Sequence, residues 1–412
     1  MGGAASATPT SESVIARLRS FGRSNRIVGV DVARGLAVLG MFGAHIGVTQ
    51  EFDWRPETWA GLIHGRSSIL FALLAGVSIA IISGRTERIS GTDLARARVR
   101  IATRAVLIFC AGALVELLDT NVAVILTYYG VLFLLAIPFL RVPPGWLFAL
   151  AGLTAIVMPV LVFAPRQGSG SEPITDLGGY ALALLVTGTY PSLVWLAFLL
   201  AGMGIGRLEL SSVRVQTWLL AAGAALAAIG YGLGEWAAAT IDAGSAVEWA
   251  GTDWAGLATT EPHSGSPFEV VGSTGFAIAV LALCLMASRY IRWLLYPVAA
   301  VGAMALTAYT VQLIAIAALE VDVPGRSGNE AWLWFTLVAL VACSLWILLV
   351  GRGPFEAFLT WVSRRMAQLV RGPTPAARPQ PPDRSRPAPS PDRRLGHRIR
   401  TRSSTHGRAR RR

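Results

Sequence analysis

The chain has 412 residues, of which 53% are apolar and only 15% charged, with a mean hydropathy of +0.54. Soluble domains hold about 25% charged residues, so this composition excludes a soluble enzyme, a disordered scaffold and a disulfide-stapled secreted domain. The net charge of +12 does not indicate a nucleic-acid-binding protein, and no nucleic acid partner is expected: residues 372–412 hold twelve Arg and two Asp, while the other 371 residues carry 24 Arg and 22 acids.

Residues 1–26 form a basic N-terminal segment, with Arg17, Arg19, Arg23 and Arg26 close to the first apolar run. That run contains Asp31 and Arg34 and is followed by no small-residue cleavage site, so it reads as a retained helix rather than a signal peptide. Apolar runs of membrane-helix length then predict an all-α, polytopic transmembrane helix bundle over 27–350. About ten spans are expected, near 27–49, 62–83, 100–118, 121–140, 146–164, 180–206, 216–238, 268–288, 293–319 and 331–350. Residues 351–371 interleave Phe355, Phe358, Leu359, Trp361 and Val362 with Arg364 and Arg365, the pattern of an interfacial amphipathic helix. The tail, 372–412, is rich in Arg, Pro and Ser and reads as disordered.

Loop charges give an orientation. With charges at span ends assigned to the nearer side, one set of loops carries 19 Arg and 5 acids and the other 4 Arg and 16 acids. The positive-inside rule makes the first set cytoplasmic, and an even span count then places both termini in the cytoplasm. Cys110, Cys284 and Cys343 all lie in apolar runs, so no disulfide framework is indicated.

Charge inside a span is costly and points to function by default. Arg34 and His45 are eleven residues apart in the first span, about three helical turns with a rotation mismatch of about 20° and a rise of about 16 Å. Both therefore lie on one stripe, with Asp31 one turn before Arg34. One reading is a self-neutralising Asp31–Arg34 pair and a hydrogen-bonded helix-end histidine. The other is a polar track with a basic anchor at one end and a general base at the other. His64 and His263 fall on the same, outer side as His45. An imidazole there can take a proton from a hydroxyl or amine. The three histidines lack tight ligand spacing, so no metal is expected.

The loop from Arg85 to Arg104 carries six Arg. Ordinary topology accounts for most of them. As a phosphate cradle, Arg98, Arg100 and Arg104 are the candidates. Gly202-Met-Gly204-Ile-Gly206 only superficially resembles a dinucleotide turn and reads as the end of a packed helix. Trp249 and Trp254 fit an interfacial belt or a sugar-stacking surface, and Glu116 and Asp119 are placed to orient an imidazolium.

The segment Gly29-Val-Asp31-Val-Ala-Arg34-Gly35-Leu-Ala-Val-Leu-Gly40-Met41 resembles the opening signature of the heparan-alpha-glucosaminide N-acetyltransferase-like membrane proteins, especially their bacterial relatives. Further matches are His64-Gly-Arg-Ser-Ser68, Leu74-Ala-Gly76-Val-Ser78, Tyr128-Tyr-Gly130, Tyr190-Pro191, Gly206-Arg207, His263-Ser-Gly265, Gly272-Ser273, Leu306-Thr307-Ala-Tyr309 and Gly353-Pro354-Phe-Glu356. The resemblance spans roughly residues 26–365. It implies transfer of an acyl group from cytoplasmic acetyl-CoA or another acyl-CoA to an extracytoplasmic acceptor. In that case Arg34 meets the CoA and His45 is the catalytic histidine. The lysosomal enzyme carries its histidine just before a Trp-x-Gly-Leu stretch. Here Pro56-Glu57-Thr58 precedes Trp59-Ala-Gly61-Leu62, so the role falls to His45 or His64.

The expectation is thus a multi-pass plasma-membrane acyltransferase. His45, His64 and Asp31 are its catalytic candidates, and Arg34, Arg98 and Arg100 its acyl-CoA-binding candidates. The acceptor would be an envelope glycan or lipid, and anionic membrane lipid is a partner for the basic tail. The competing readings are a transporter or flippase using the same stripe as a substrate path, and a non-catalytic scaffold.

Overall fold

A computed structural model describes residues 26–48, 58, 60–87, 89–168, 176–241, 254–321 and 328–370. The N-terminal segment 1–25, the Pro56–Trp59 stretch apart from Thr58, Trp249 and the tail from residue 371 lie outside them, as does the side chain of Trp254. Among the described residues every regular element is helical.

In chain order the helices are α1 (Val28–Ile46), α2 (Ala60–Ile63), α3 (Arg66–Ile82), α4 (Gly91–Glu116), α5 (Leu126–Ala136, extended by a 3-10 segment Ile137–Arg141), α6 (Pro144–Gly168), α7 (Leu177–Leu182, followed by a π turn Ala183–Thr187), α8 (Ser192–Gly206), α9 (Val213–Ile241), α10 (Pro267–Tyr290), α11 (Tyr296–Ala303), α12 (Ala305–Ala318), α13 (Glu330–Leu349) and α14 (Pro354–Gln368). Five of them, α1, α6, α9, α10 and α13, are long and apolar enough to cross a membrane. The count is seven if each of two bent pairs is one span: α7 with α8, bent by 51°, and α11 with α12, bent by 83°.

About ten spans were expected from hydropathy. The difference lies in three places. The run 62–83 folds as the 17-residue α3, 121–140 as the short α5 with its 3-10 extension, and 100–118 as part of α4, a 26-residue helix whose first half is rich in arginine. Large apolar side chains remain exposed along α6, α9 and α13, among them Trp146, Leu153, Trp218, Leu233, Leu337 and Val341. Such a surface suits lipid rather than water.

Small residues let these helices pack backbone to backbone, as membrane helices do in the absence of a hydrophobic drive between them. α1 is the central element and is buried along most of its length. A side chain at Gly35 would collide with the Val298 carbonyl of α11, and one at Gly302 with the Asp31 carbonyl of α1. The Gly202–Gly206 segment plays the same part in α8: Gly202 lies on the Leu73 carbonyl of α3 and Gly206 on Val77. It is the closely packed end of a helix, as the sequence indicated. Gly302→Val should therefore destabilise the protein by about 3 kcal/mol or more. Gly232, where an added Cβ would meet nothing within 4 Å, is the control, since Gly232→Val should stay within about 0.5 kcal/mol. Thermal melts of the two purified variants check this.

α14 buries Leu359, Ser363 and Ala367, spaced four apart, and exposes Phe358, Trp361 and Met366. It packs on α4, so one of its faces is bound to the bundle. The three cysteines are unpaired.

Candidate functional site

Two cavities lie along α1. The first, the arginine cavity, has a volume of about 180 Å³ and is lined by Arg34, Ser78, Arg104, Tyr129 and Glu356 among others. The second, the histidine cavity, has about 280 Å³ and is lined by His45, His64, His263, Tyr190 and Tyr309 among others. Ser68 and Ile125 face the histidine cavity while Phe71, Leu126 and Tyr129 face the arginine cavity. The partition between them is therefore one layer of α3 and α5 side chains, closed by a hydrogen bond of 3.0 Å from the Tyr129 hydroxyl to the Ser68 carbonyl.

Arg34 is fixed from three sides. Its guanidinium donates to Asp31 Oδ1 at 3.1 Å, to Ser78 Oγ at 2.9 Å and to the Gly302 carbonyl at 3.4 Å. Gly302 is in the last turn of α11, where helix carbonyls lack intrahelical partners and carry negative partial charge, so a cation is stabilised there. Asp31 also accepts from Arg26, at 3.0 Å. Arg104 donates to Thr360 of α14 and lies in the positive field of Arg34, Arg100, Arg352 and Arg364. Glu356 offsets part of that charge, but its carboxylate is engaged. It accepts from the backbone N–H and hydroxyl of Thr307, at 3.0 and 2.6 Å, and so caps the exposed start of α12 after the break at Met304.

The candidates sort by helical phase. Arg100 and Arg104, four apart, share the face of α4 toward α14. Arg104 enters the arginine cavity, and Arg100 lines a neighbouring groove of about 580 Å³ with Arg96 and Arg364. Arg98 is exposed and lines none of these cavities. Asp31, a catalytic candidate from sequence, is fourteen residues from His45, about 21 Å along the helix. It is engaged with Arg26 and Arg34. Its position suits holding Arg34, not contact with the histidine chemistry.

In the histidine cavity His45 Nδ1 lies 3.2 Å from Gln312 Oε1 on α12. In the neutral tautomer that carries its proton on Nδ1, the ring donates to this amide oxygen and Nε2 keeps its lone pair. The His45 ring also meets Tyr309 edge-on at 5.8 Å. His64, in the turn before α3, stacks edge-on with His263 at 5.6 Å, and His263 with Tyr190 at 5.3 Å. Tyr190 arrives there because the π turn and Pro191 break the α7–α8 span. Among the described residues no group of three metal-binding side chains has the geometry to hold an ion. Glu116 accepts from Thr127 and Tyr180, and Gln312 is the residue that orients His45.

The His263 loop is built by Glu269. Ser266 caps α10, and Glu269, three residues later, accepts from the His263 and Gly265 N–H groups at 2.9 and 2.7 Å and from the Ser264 hydroxyl. Ser266-Pro-Phe-Glu269 is a legible capping-box sequence, and it locates His263 better than hydropathy does. Glu269→Ala should cost about 2 kcal/mol or more by stranding these buried donors. It should also speed modification of His263 by diethyl pyrocarbonate, read by mass spectrometry.

Sequence segments far apart in the chain therefore meet at two points. Thr307 meets Glu356 beside Arg34, and His64, Tyr190 and His263 meet beside His45. The profile of the heparan-alpha-glucosaminide N-acetyltransferase catalytic family matches residues 26–239, just over half of the chain. The chain belongs to this family. The match includes Asp31, Arg34, His45, His64, Arg104, Tyr129 and Tyr190; His263, Tyr309, Gln312 and Glu356 lie beyond it. No curated protein matches the chain.

Proposed function

We propose that this family member is a multi-pass plasma-membrane acyltransferase with about ten membrane crossings and both ends in the cytoplasm, moving an acetyl group from acetyl-CoA to an acceptor on the far side. The observation that carries the reading is the placement of Arg34 and His45 on one helix face with a cavity at each. Anionic phosphates suit the arginine side, where Arg34 of α1 and Arg104 of α4 line one cavity and Arg100 of α4 and Arg364 of α14 line the neighbouring groove. The rise of about 16 Å between Arg34 and His45 is on the scale of a pantetheine arm. The arm would pass the Tyr129–Ser68 partition.

His45 Nε2 takes the proton from the acceptor hydroxyl or amine as that atom bonds to the acyl carbon. The C–S bond breaks, and the departing CoA thiolate takes the proton from His45. Tyr309 and the His64–His263 pair border the reacting groups. Arg34 and Asp31 act through donor placement.

The test is transfer from radiolabelled acetyl-CoA supplied to the cytoplasmic face of sealed vesicles containing the full chain. Labelled product on the opposite side supports the reading. A protein that neither binds CoA nor releases it from acetyl-CoA would sink it. Solute flux lost with His45→Ala, without an acylated product, would favour a transporter.

A further inference from the structure

We infer that the groove between α4 and α14 is a binding site for a phosphate monoester, separate from the arginine cavity. The inference does not depend on the acyltransferase reading. The two helices run antiparallel along their seam. Arg104 meets Thr360, Arg100 lies in the field of Arg364, and Ala97 and Ala367 line the groove together. Each step of about one turn toward the start of α4 is thus matched by one toward the end of α14. The groove lies at that end of the seam. Its volume of about 580 Å³ is in the range of ligand sites.

Charge selects the ligand. The groove is lined by Arg96, Arg100 and Arg364 and, among the described residues, by a single acid, Asp93. Three positive charges thus face one negative. Asp93 pairs with Arg96, at 3.8 Å. Arg100 and Arg364 confront each other, and among the described residues neither has a hydrogen bond or an ion pair. Arg100 is half-buried, where water screens this repulsion less than at a free surface. An anion between the two guanidiniums turns the repulsion into attraction. A phosphate monoester carries close to two negative charges at neutral pH and three free oxygens, so it matches both charges and presents an oxygen edge to each planar fork. A phosphate diester or a carboxylate carries one charge and leaves one arginine unmatched. Much of the remaining lining is carbon, from Ile81 and Ile82 at the end of α3 and from Ile89. It suits the ribose or glycerol that bears the phosphate. Two ligands supply this chemistry: the 3′-phosphate of CoA and the head group of phosphatidic acid.

The test uses the full chain in phosphatidylcholine nanodiscs. In one arm, calorimetry compares CoA with dephospho-CoA, which lacks only the 3′-phosphate. In the other, native mass spectrometry compares retention of phosphatidic acid with that of phosphatidylglycerol, a diester with the same acyl chains. The expected result is a preference of about tenfold or more for the monoester in at least one arm, the scale of a charge-assisted hydrogen bond. The arm that shows it identifies the source. The preference should vanish in Arg364→Gln, an exposed position where a thermal melt checks that the fold is kept. It should persist in Arg98→Gln, since Arg98 is exposed and outside the groove. Absence of the preference from both arms would overturn the proposal, and so would a preference that survives Arg364→Gln. Equal loss of phosphatidic acid and phosphatidylglycerol in that variant would make the groove a general basic surface and overturn it as well. Neither arm reads acetyl transfer, so a chain without transferase activity can still pass both.

Discussion

His45→Ala should lower acetyl transfer by about 10²–10⁴-fold, the usual contribution of a positioned general base, while CoA binds as tightly as before. The split follows from position. His45 is in the last turn of α1, in the cavity away from the arginines, with Nδ1 committed to Gln312. Truncation removes the lone pair of Nε2 but none of the groups around Arg34. His45→Gln should fail equally, because a side-chain amide accepts hydrogen bonds but does not take up a proton near neutral pH. Transfer rates with radiolabelled acetyl-CoA, alongside calorimetric CoA binding, check both halves. Loss of binding together with loss of rate would point to a structural role.

Arg34→Ala should do the reverse. CoA binding should weaken by about 10–100-fold, as expected for one or two charge-assisted hydrogen bonds, with turnover at saturating donor much less affected. Arg34 is held by Asp31, Ser78 and the end of α11, so its guanidinium is already ordered when a phosphate arrives and little entropy is lost. Arg34→Lys should be intermediate, since an ammonium keeps the charge but not the planar fork. Asp31 retains Arg26 in both variants, which limits the damage to folding.

The helical class and the shared stripe of α1 were legible because burial, length and a 3.6-residue period act locally. The span count was less legible. Residues 293–319 read as one apolar run, yet the chain turns by 83° at Met304. That bend comes from close packing of Gly302 on α1 and from Glu356 capping the new helix. Both causes are distant in sequence. The arginines were partly legible. Arg98 is two residues from Arg100, about 200° around the helix, so phase alone separates it from the Arg100–Arg104 face. Gln312 gave no signal, being an uncharged amide in an apolar run far from His45 in the chain. The grouping of His64 with His263 required the Glu269-built loop, whose capping sequence was readable.

Acyl transfer at His45 needs one donor molecule that links the two cavities of α1. A cryo-electron microscopy structure of the full chain with bound acetyl-CoA measures this directly. The expected result has the phosphates among Arg34, Arg100 and Arg104, Tyr129 displaced from Ser68, and the acetyl carbon beside His45 Nε2. A CoA lying wholly on the arginine side, with the Tyr129–Ser68 hydrogen bond intact and its acetyl group directed away from His45, would contradict it.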